Sequence, residues 1–370
     1  MRTGVELRRV GWASAVLLVA AVPCGAQVPP RDSAGVVAET FVAAKPIEQR
    51  APSYPREAFV AGPKEGWVDV SFVVSPTGEV VEPMIEDSSG VSVFEREALR
   101  TVRRWRYEPA TRNGEPVEQS MARVHIAFLL GEQGVSRTFL RKYQRIAALI
   151  EGGDFAAAQP LLEQLESAPG RNFYEDAWFW WLKYAYLDGT GSSDTQGKIV
   201  ALRRALGYQD SIGATKLVIA AQRLFALETQ TGDLAESLKT YEFLRESGTA
   251  KRSDLYEAAM AQLKPVVEEV EAIIASDNAL RSHAEVGTND YWVRRLLRRF
   301  FSMSNVAGRI DVIDVRCRRG TKRYDSFPLN GVWRVPESWG DCGVYIKGEP
   351  GTTFDFLEHA SPVSATPLSD

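Results

Sequence analysis

The sequence predicts an α+β protein of three parts: a small sheet-plus-helix domain, an α-helical solenoid and a small disulfide-linked β domain. Three observations support this fold class. Alternating apolar residues flank one amphipathic helix in residues 51–131, helical periodicity dominates residues 136–263, and short β patterns surround two cysteines in residues 266–359. Residues 1–26 are expected to be a signal peptide, residues 27–50 a linker and residues 360–370 a flexible tail.

The first domain begins with a predicted hairpin. Apolar side chains occupy every second position from Val68 to Val74, which is the period of a strand buried on one face. Pro76 and Gly78 suit the turn that follows, because they supply a fixed φ and a positive φ. A second strand is expected over residues 79–85.

A helix and a final strand complete this domain. Phe94, Ala98 and Val102 share one helical face, with Ser92 as the expected N-cap and Glu95 as its capping-box partner. The stretch from Ser120 to Leu130 alternates again and predicts the last strand.

Several short motifs in this domain fall in order at compatible spacings. Together they resemble the C-terminal periplasmic domain of the TonB energy transducer family, over about a fifth of the chain. The motifs are Pro52-Ser53-Tyr54-Pro55, Glu65-Gly66-Trp67-Val68, Phe94-Glu95-Arg96 and Trp105-Arg106-Tyr107-Glu108-Pro109.

The resemblance implies a partner-binding domain without chemistry of its own. In the family, the last strand lies at the sheet edge and accepts a short segment of an outer-membrane receptor as an added strand. Two alternatives stay open: this edge is covered by the rest of the chain or by a second copy in a homodimer, and Tyr54 only packs against the helix. The residues that the resemblance assigns to partner binding are Pro52, Tyr54, Pro55, Arg123, Val124, His125, Ile126, Ala127 and Phe128.

The N-terminus predicts export to the periplasm or cell envelope of a Gram-negative-type bacterium. Three arginines within the first nine residues precede an apolar run, Trp12–Val22, and small residues precede Gln27, as in a cleavable signal peptide. A lipoprotein acylated at Cys24 and an uncleaved anchor are the alternatives, although the run is shorter than the ~20 apolar residues that span a bilayer. The short linker departs from the family's long proline-rich spacer, so coupling to an inner-membrane motor is not carried over.

Residues 136–263 are predicted to form about three helical hairpins. Gly153-Asp154-Phe155 and Gly232-Asp233-Leu234 resemble the turns of tetratricopeptide repeats, and a further helix pair is expected between them. Such repeats present a concave face to a partner. The aromatic residues between Phe173 and Tyr186 are expected to fill the joints between hairpins rather than form a ligand groove.

The C-terminal part is predicted to be a small β-sandwich. Ile310–Arg316, Val332–Val335, Gly343–Lys347 and Thr352–Leu357 have the character of short strands. Residues 292–303 suit either a helix or a strand, and strand is favoured because they lead into the β pattern.

Cys317 and Cys342 are expected to form a disulfide, since they are the two cysteines left after removal of the signal peptide. A metal site is disfavoured, because no histidine accompanies them.

Residues 291–330 carry ten arginines and lysines against three aspartates, in a chain of net charge −4. Solvated strand faces account for this segment; binding to an anionic envelope surface is the functional alternative. Nucleic acid is excluded as a partner by the export signal. No catalytic residues, metal or cofactor are predicted, so the chain is not expected to be an enzyme.

The function predicted from the sequence is partner binding by strand addition, linked to TonB-dependent transport across the outer membrane. The partner would be an outer-membrane TonB-dependent receptor or another envelope protein. The alternative is a periplasmic scaffold for envelope assembly that is not coupled to proton-motive energy.

Overall fold

The computed structural model describes residues 7–8, 40–60, 65–131, 134–168, 170–287, 289–329 and 331–362. The predicted signal peptide, the first part of the linker and most of the predicted tail lie outside these residues, apart from Leu7–Arg8. Residues 40–131 are called the module, residues 134–275 the helical region and residues 280–359 the β-sandwich.

The module contributes three strands to a four-stranded antiparallel sheet, in which Gly66–Val74 pairs with Val80–Ser88 and with Gln119–Phe128, and Leu7–Arg8 pairs with the other side of Gln119–Phe128. One helix, α1, covers the inner face of this sheet. The elements are β1 (Leu7–Arg8), β2 (Phe41–Val42), β3 (Lys45–Glu48), β4 (Gly66–Val74), β5 (Val80–Ser88), α1 (Ser92–Val102), β6 (Arg106–Glu108), β7 (Ala110–Arg112), β8 (Glu115–Val117) and β9 (Gln119–Phe128).

The inner core of the module follows the predicted alternation. Every second side chain of β4 packs against α1, and the Phe94 and Phe128 rings stack with centroids 4.5 Å apart. Burial of these apolar side chains is the main force that holds the helix on the sheet. The predicted hairpin, helix and last strand of the module are therefore present.

Two details of the module differ from the sequence analysis. Residues assigned to the linker pair with the module, β2 with β7 and β3 with β6. The predicted capping box at Ser92 is wrong, because Val91 is the N-cap and lacks a side-chain acceptor. Glu95 instead accepts a hydrogen bond from the Ser88 hydroxyl at 2.5 Å, which ties the start of α1 to the end of β5.

The helical region consists of antiparallel hairpins followed by one long helix. Polar N-caps begin several of these helices; Ser136 accepts from the Phe139 amide, and Asn172 forms a capping box with Glu175. The helices are α2 (Arg137–Glu151), α3 (Phe155–Ser167), α4 (Phe173–Gly189), α5 (Thr195–Gly207), α6 (Ala214–Gln230), α7 (Leu234–Glu246) and α8 (Tyr256–Ala275).

The hairpins agree with the sequence analysis, whereas the end of the region does not. The predicted boundary at residues 263–266 falls inside α8, which continues past Pro265 to Ala275. Val267 and Val270 lie on the buried face of α8. Their burial accounts for the continuation of the helix beyond Pro265.

The β-sandwich consists of two four-stranded antiparallel sheets with the orders β10-β17-β12-β15 and β11-β16-β13-β14. The two sheets enclose one apolar core, in which Phe301 stacks on Trp333 and on Phe356. The strands are β10 (Leu280–Glu285), β11 (Tyr291–Arg295), β12 (Phe300–Ala307), β13 (Ile310–Cys317), β14 (Gly320–Tyr324), β15 (Val332–Arg334), β16 (Cys342–Gly348) and β17 (Thr353–His359).

Two predictions for the β-sandwich are confirmed by these elements. The ambiguous residues 292–303 are strands, β11 and the beginning of β12, joined by a short turn. Cys317 and Cys342 lie opposite each other on β13 and β16 and form the expected disulfide.

The outer face of the module's sheet is covered by the other two regions, so the prediction that β4 is buried on one face only is wrong. All nine residues of β4 are buried. Trp67 lies against the end of α5, where a Cβ at Gly207 would overlap the Trp67 ring, and contacts Tyr208 edge-on at a centroid distance of 6.2 Å. On the same face, Tyr345 of β16 lies with its hydroxyl 3.5 Å from Ser71 Oγ.

A chain of charged groups joins the helical region to the β-sandwich. Arg294 on β11 lies 3.6 Å from Asp233 and 3.5 Å from the buried carboxylate of Glu358. Arg298 donates to the carbonyl oxygens of Ile274 and Ser276, at the C-terminal end of α8. These contacts satisfy helix-end carbonyls that α8 alone would leave unpaired.

Candidate partner-binding site

The outer edge of β9 is the candidate partner-binding site. β9 pairs with β4 along one side, and the other side meets Leu7–Arg8 opposite Ile126 and His125. No other strand pairs with that side within the described part of the chain. Since Leu7–Arg8 lies in the predicted signal peptide, most of this edge offers backbone N–H and C=O groups without a strand partner.

Hydrogen bonds join the β-sandwich to the module near the beginning of β9. The Thr321 hydroxyl donates to Glu118, the residue before β9, at 2.5 Å, and Arg112 donates to the carbonyl of Arg319. The second half of β9, which contains the residues predicted to bind a partner, is farther along the strand.

The side chains of the predicted β9 residues mostly face inward. Ile126 and Phe128 are fully buried in the inner core, and Val124 is half-buried beside them. Ala127 is buried on the opposite face, and the side chain of Arg123 lies outside the described residues. A partner that approaches this edge would therefore meet backbone groups rather than a row of side chains.

His125 fixes the outer face of β9. Its Nδ1 lies 2.8 Å from Oδ1 of Asp69 on the neighbouring strand, and its ring stacks on Trp67 at a centroid distance of 5.5 Å. Asp69 is 7% exposed, so this cross-strand pair is shielded from water. The pair orients β9 relative to β4 close to the candidate edge.

The predicted residues before the sheet lie on α1. Tyr54 contacts Phe94 edge-on at a centroid distance of 5.6 Å, and Phe94 in turn stacks on Phe128. Pro52 is buried, and Pro55 begins a short 3₁₀ turn. The structure thus brings Tyr54 and the end of β9 together through one shared ring, and the packing role predicted for Tyr54 is present.

The opposite edge of the sheet, formed by β5, is blocked. The register shifts from Val73↔Val81 to Ser71↔Met84, which leaves a bulge at Glu82 and Pro83, and Glu82 has a φ of 48°. Pro83 has no N–H to donate.

Arg316 of β13 closes this edge from the β-sandwich. Its guanidinium donates to the Glu82 carbonyl at 3.1 Å, to the Glu82 carboxylate at 2.6 Å and to Asp314 at 2.6 Å. It also lies over the Tyr345 ring, 4.6 Å from the centroid. We call Arg316, Asp314, Glu82 and Tyr345 the arginine clamp.

Burial dominates the electrostatics of the arginine clamp. Desolvation raises the pKa of Asp314 above its ordinary value, although Arg316 acts in the opposite direction. Burial, together with the nearby Glu86 carboxylate, also raises the pKa of Tyr345. Charged groups are therefore held at this edge at a desolvation cost. Removal of one charged partner of the clamp would leave the other buried without compensation.

Sequence analysis missed the roles of Glu65 and of the arginine clamp. Glu65 is 5% exposed, and its carboxylate accepts from the Leu130 amide at 2.5 Å and from the Phe173 amide at 2.7 Å. It therefore joins the module to the start of α4. For the clamp, the only available signal was that Asp314 and Arg316 occupy one face of a strand at i and i+2.

The basic segment at residues 291–330 is largely engaged within the chain. Arg294 and Arg295 face carboxylates of the helical region, Arg309 pairs with Asp311, and Arg316 and Arg323 meet Glu82. Binding of this segment to an anionic envelope surface stays a prediction. Ion pairs among the described residues engage five of the ten cations of this segment.

Other features bear on the kind of site. The described residues contain no group of three or more His, Cys, Asp or Glu side chains placed to hold a metal ion. No helix in the described ranges is both long and apolar enough to span a membrane.

Residues 50–130 match the family described as the Gram-negative bacterial TonB protein C-terminal. This segment is similar to TonB C-terminal domains. It coincides with the module, including Tyr54, Glu65 and all of β9, so the resemblance expected from the sequence motifs is confirmed for this part of the chain. No family match supports the predicted tetratricopeptide-like character of the helical region, which stays a prediction.

Two curated relatives are similar over the same part. Protein TonB of Escherichia coli (strain K12) is 42% identical over 72 residues, which are 19% of this chain and 30% of that protein. Protein TonB of Pseudomonas aeruginosa is 28% identical over 102 residues, 28% of this chain and 29% of that protein. The chain thus spans about three tenths of the length of these relatives.

A solved structure is also similar, the solution NMR structure of the Pseudomonas aeruginosa TonB CTD. It is 26% identical in sequence, and the match covers 24% of this chain and 89% of that chain, with a TM-score of 0.19.

Proposed function

We propose that this protein binds an extended segment of a partner protein by β-strand addition at the outer edge of β9, in TonB-dependent transport across the outer membrane. The partner in this proposal is an outer-membrane TonB-dependent receptor. The observation that carries the proposal is a difference between the edges of the module's sheet. Both faces and the β5 edge are covered, whereas most of the β9 edge has no described strand partner.

The position of Leu7–Arg8 supports the same site. A short extended segment already pairs antiparallel with His125 and Ile126, so the edge accepts a strand in this register. If the predicted signal peptide is cleaved before Gln27, the mature chain loses this segment, and no described strand then pairs with the outer side of β9.

The proposal covers binding and stops before energy coupling. The relatives named TonB are matched only through about three tenths of their length, and the matched part is the C-terminal domain. The predicted linker is also short. The proposal is therefore limited to receptor binding.

Cysteine cross-linking tests strand addition without a substitution in the inner core, although His125→Cys removes the hydrogen bond to Asp69. Ile126 is fully buried, so a substitution there would test folding rather than the edge. His125→Cys in the mature chain, Gln27–Asp370, places a thiol on the half-buried face of β9. The probe is a receptor-derived extended peptide that carries a cysteine at each position in turn.

A strand in register should form disulfides with a period of two along the peptide, because successive side chains alternate between faces. Val81→Cys on β5 is the matched control and should form none. Uniform cross-linking along the peptide, or equal cross-linking at Val81→Cys, would contradict strand addition at β9.

The second candidate function is a periplasmic scaffold that is not coupled to proton-motive energy. Its support is that the module is built into the rest of the chain through Trp67, Glu65 and the arginine clamp. A bait that simply lacks residues 51–131 would expose those buried contacts, so it is a poor discriminator. Recovery of the same envelope proteins by the mature chain with and without a saturating receptor peptide would favour the scaffold.

A further inference from the structure

The solvent-facing side of α2 carries a stripe of cations. Arg137, Arg141 and Arg145 follow one another at intervals of four residues, and Lys142 flanks them; all four side chains are exposed. At 1.5 Å per residue the stripe extends over about 12 Å of helix. We call these four residues the α2 stripe.

None of the ion pairs formed among the described residues includes a member of the α2 stripe. Neighbouring cations of the helical region behave differently: Arg171 pairs with Asp176 at 2.7 Å and Lys183 with Glu166 at 2.8 Å. The stripe therefore presents its charges to solvent rather than to carboxylates of the described residues.

The arrangement is unfavourable for α2 as an isolated helix. Like charges four residues apart repel each other, and this stripe contains two such pairs, Arg137 with Arg141 and Arg141 with Arg145. Arg137 also lies in the first turn, where the helix dipole favours negative charge, and α2 has no acidic residue there. By contrast, α4 begins with Glu175 and Asp176.

Simple solvation of a terminal helix does not require this pattern. A polar outer face with charges of both signs would serve equally well and would stabilise the helix. A membrane surface is also a poor match, since the apolar face of α2, with Phe139, Tyr143 and Ile146, is buried against the neighbouring helices and is not available for insertion.

We propose that the α2 stripe binds an acidic helical segment of a partner protein. Glutamates at positions i, i+4 and i+8 of such a helix would match the spacing of Arg137, Arg141 and Arg145, and the guanidinium fork suits carboxylate oxygens. This surface lies on the helical region and is separate from the β9 edge, so it does not depend on the proposed function of that edge.

The experiment uses the mature chain and two synthetic probes of equal composition. One is an alanine-based helical peptide with glutamates at i, i+4 and i+8; the other has the same residues with the glutamates spread around the helix. Fluorescence anisotropy should show tighter binding of the first peptide. Binding should weaken steeply when salt is raised from about 50 to about 300 mM, because exposed charges are screened.

The variant is Arg141→Glu, and the matched control is Arg104→Glu, an exposed cation outside the stripe with the same change in net charge. Arg141→Glu converts both repulsive pairs into attractive ones, so α2 should be no less stable, while peptide binding should weaken by about tenfold or more. The control should leave binding within about twofold.

Three results would overturn the proposal. The first is equal binding of both peptides, and the second is equal loss in Arg141→Glu and Arg104→Glu. The third is stripe-dependent binding to phosphatidylglycerol–phosphatidylcholine vesicles without binding of the peptide, which would assign the surface to a membrane. Light scattering of the free protein adds one check, since stripe-dependent self-association would replace the partner by a second copy.

Discussion

The two edges of the module's sheet offer the same kind of backbone groups but have opposite surroundings. At β5, a bulge, a proline and Arg316 interrupt or cover the edge. At β9, one side of the strand has a two-residue partner, and the rest has no strand partner among the described residues.

This difference shows how the fold limits pairing to one edge. Proteins usually block exposed edges, because a free row of N–H and C=O groups invites aggregation. Here several independent features block β5, while β9 has regular geometry over its second half. The proposed strand addition at β9 would use the one edge of this sheet that lacks a strand partner over most of its length among the described residues.

The largest effect is expected when the support beneath β9 is removed by Trp67→Ala. The ring fills the space between the sheet and α5, so its loss should lower the free energy of unfolding by about 4 kcal/mol. Urea denaturation measures the change. Trp67→Phe is the control: it keeps an aromatic ring and removes an indole N–H that has no hydrogen-bond partner, so it should cost much less.

A somewhat smaller effect is expected when the β5 edge is opened by Arg316→Met. Asp314 would be left buried without its cation, which should cost about 3 kcal/mol. The edge itself should become accessible, so Val81→Cys should now cross-link to an extended peptide. Arg318→Met, at an exposed site near the end of the same strand, should change neither stability nor cross-linking. Unchanged protection of Val81→Cys would show that the bulge alone blocks β5.

Local patterns predicted the module well. The alternation from Val68 to Val74, the helical face with Phe94 and the alternation up to Phe128 each depend on neighbouring residues, and each appears in the inner core. The disulfide also followed from the sequence, because only two cysteines remained to pair. The candidate edge was predicted through resemblance, since alternation alone does not say which strand lies at an edge.

The contacts between regions could not be predicted in this way. Arg316 and Glu82 are 234 positions apart, and nothing near either residue indicates the other. The outer face of β4 carries Asp69 and Ser71, which is the usual sign of a solvated face, yet both are buried. Hydrogen bonds to His125 and Tyr345 make that burial tolerable, and only the tertiary structure supplies them.

Reduction of Cys317–Cys342 tests whether the disulfide supports the closed edge. The bond joins β13, which carries Arg316, to β16, which carries Tyr345, across a sequence separation of 25 residues. Constraint of the unfolded chain by such a loop contributes about 3 kcal/mol, so the Cys317→Ala/Cys342→Ala variant should be destabilised by about that amount. Loss of protection at Val81→Cys in the same variant would link the bond to the β5 edge, whereas an unchanged cross-linking pattern would confine its effect to the β-sandwich.

The smallest expected effect is a pH dependence of the arginine clamp. Because burial raises the pKa of Asp314 in the folded state, the stabilising contribution of this group is present below its unfolded pKa of about 4 and is lost as the pH rises through the raised value. Asp314→Asn should therefore remove one component of the fall in unfolding free energy above about pH 4. Arg316, Glu82 and Tyr345 face the same group, so the comparison must keep them unchanged. The measurement is the difference in unfolding free energy between the wild-type chain and the variant at several pH values. If the wild-type chain instead became more stable relative to Asp314→Asn as the pH rises, the Arg316 ion pair would outweigh the desolvation of Asp314. The arginine clamp would then hold the β5 edge by net electrostatic attraction.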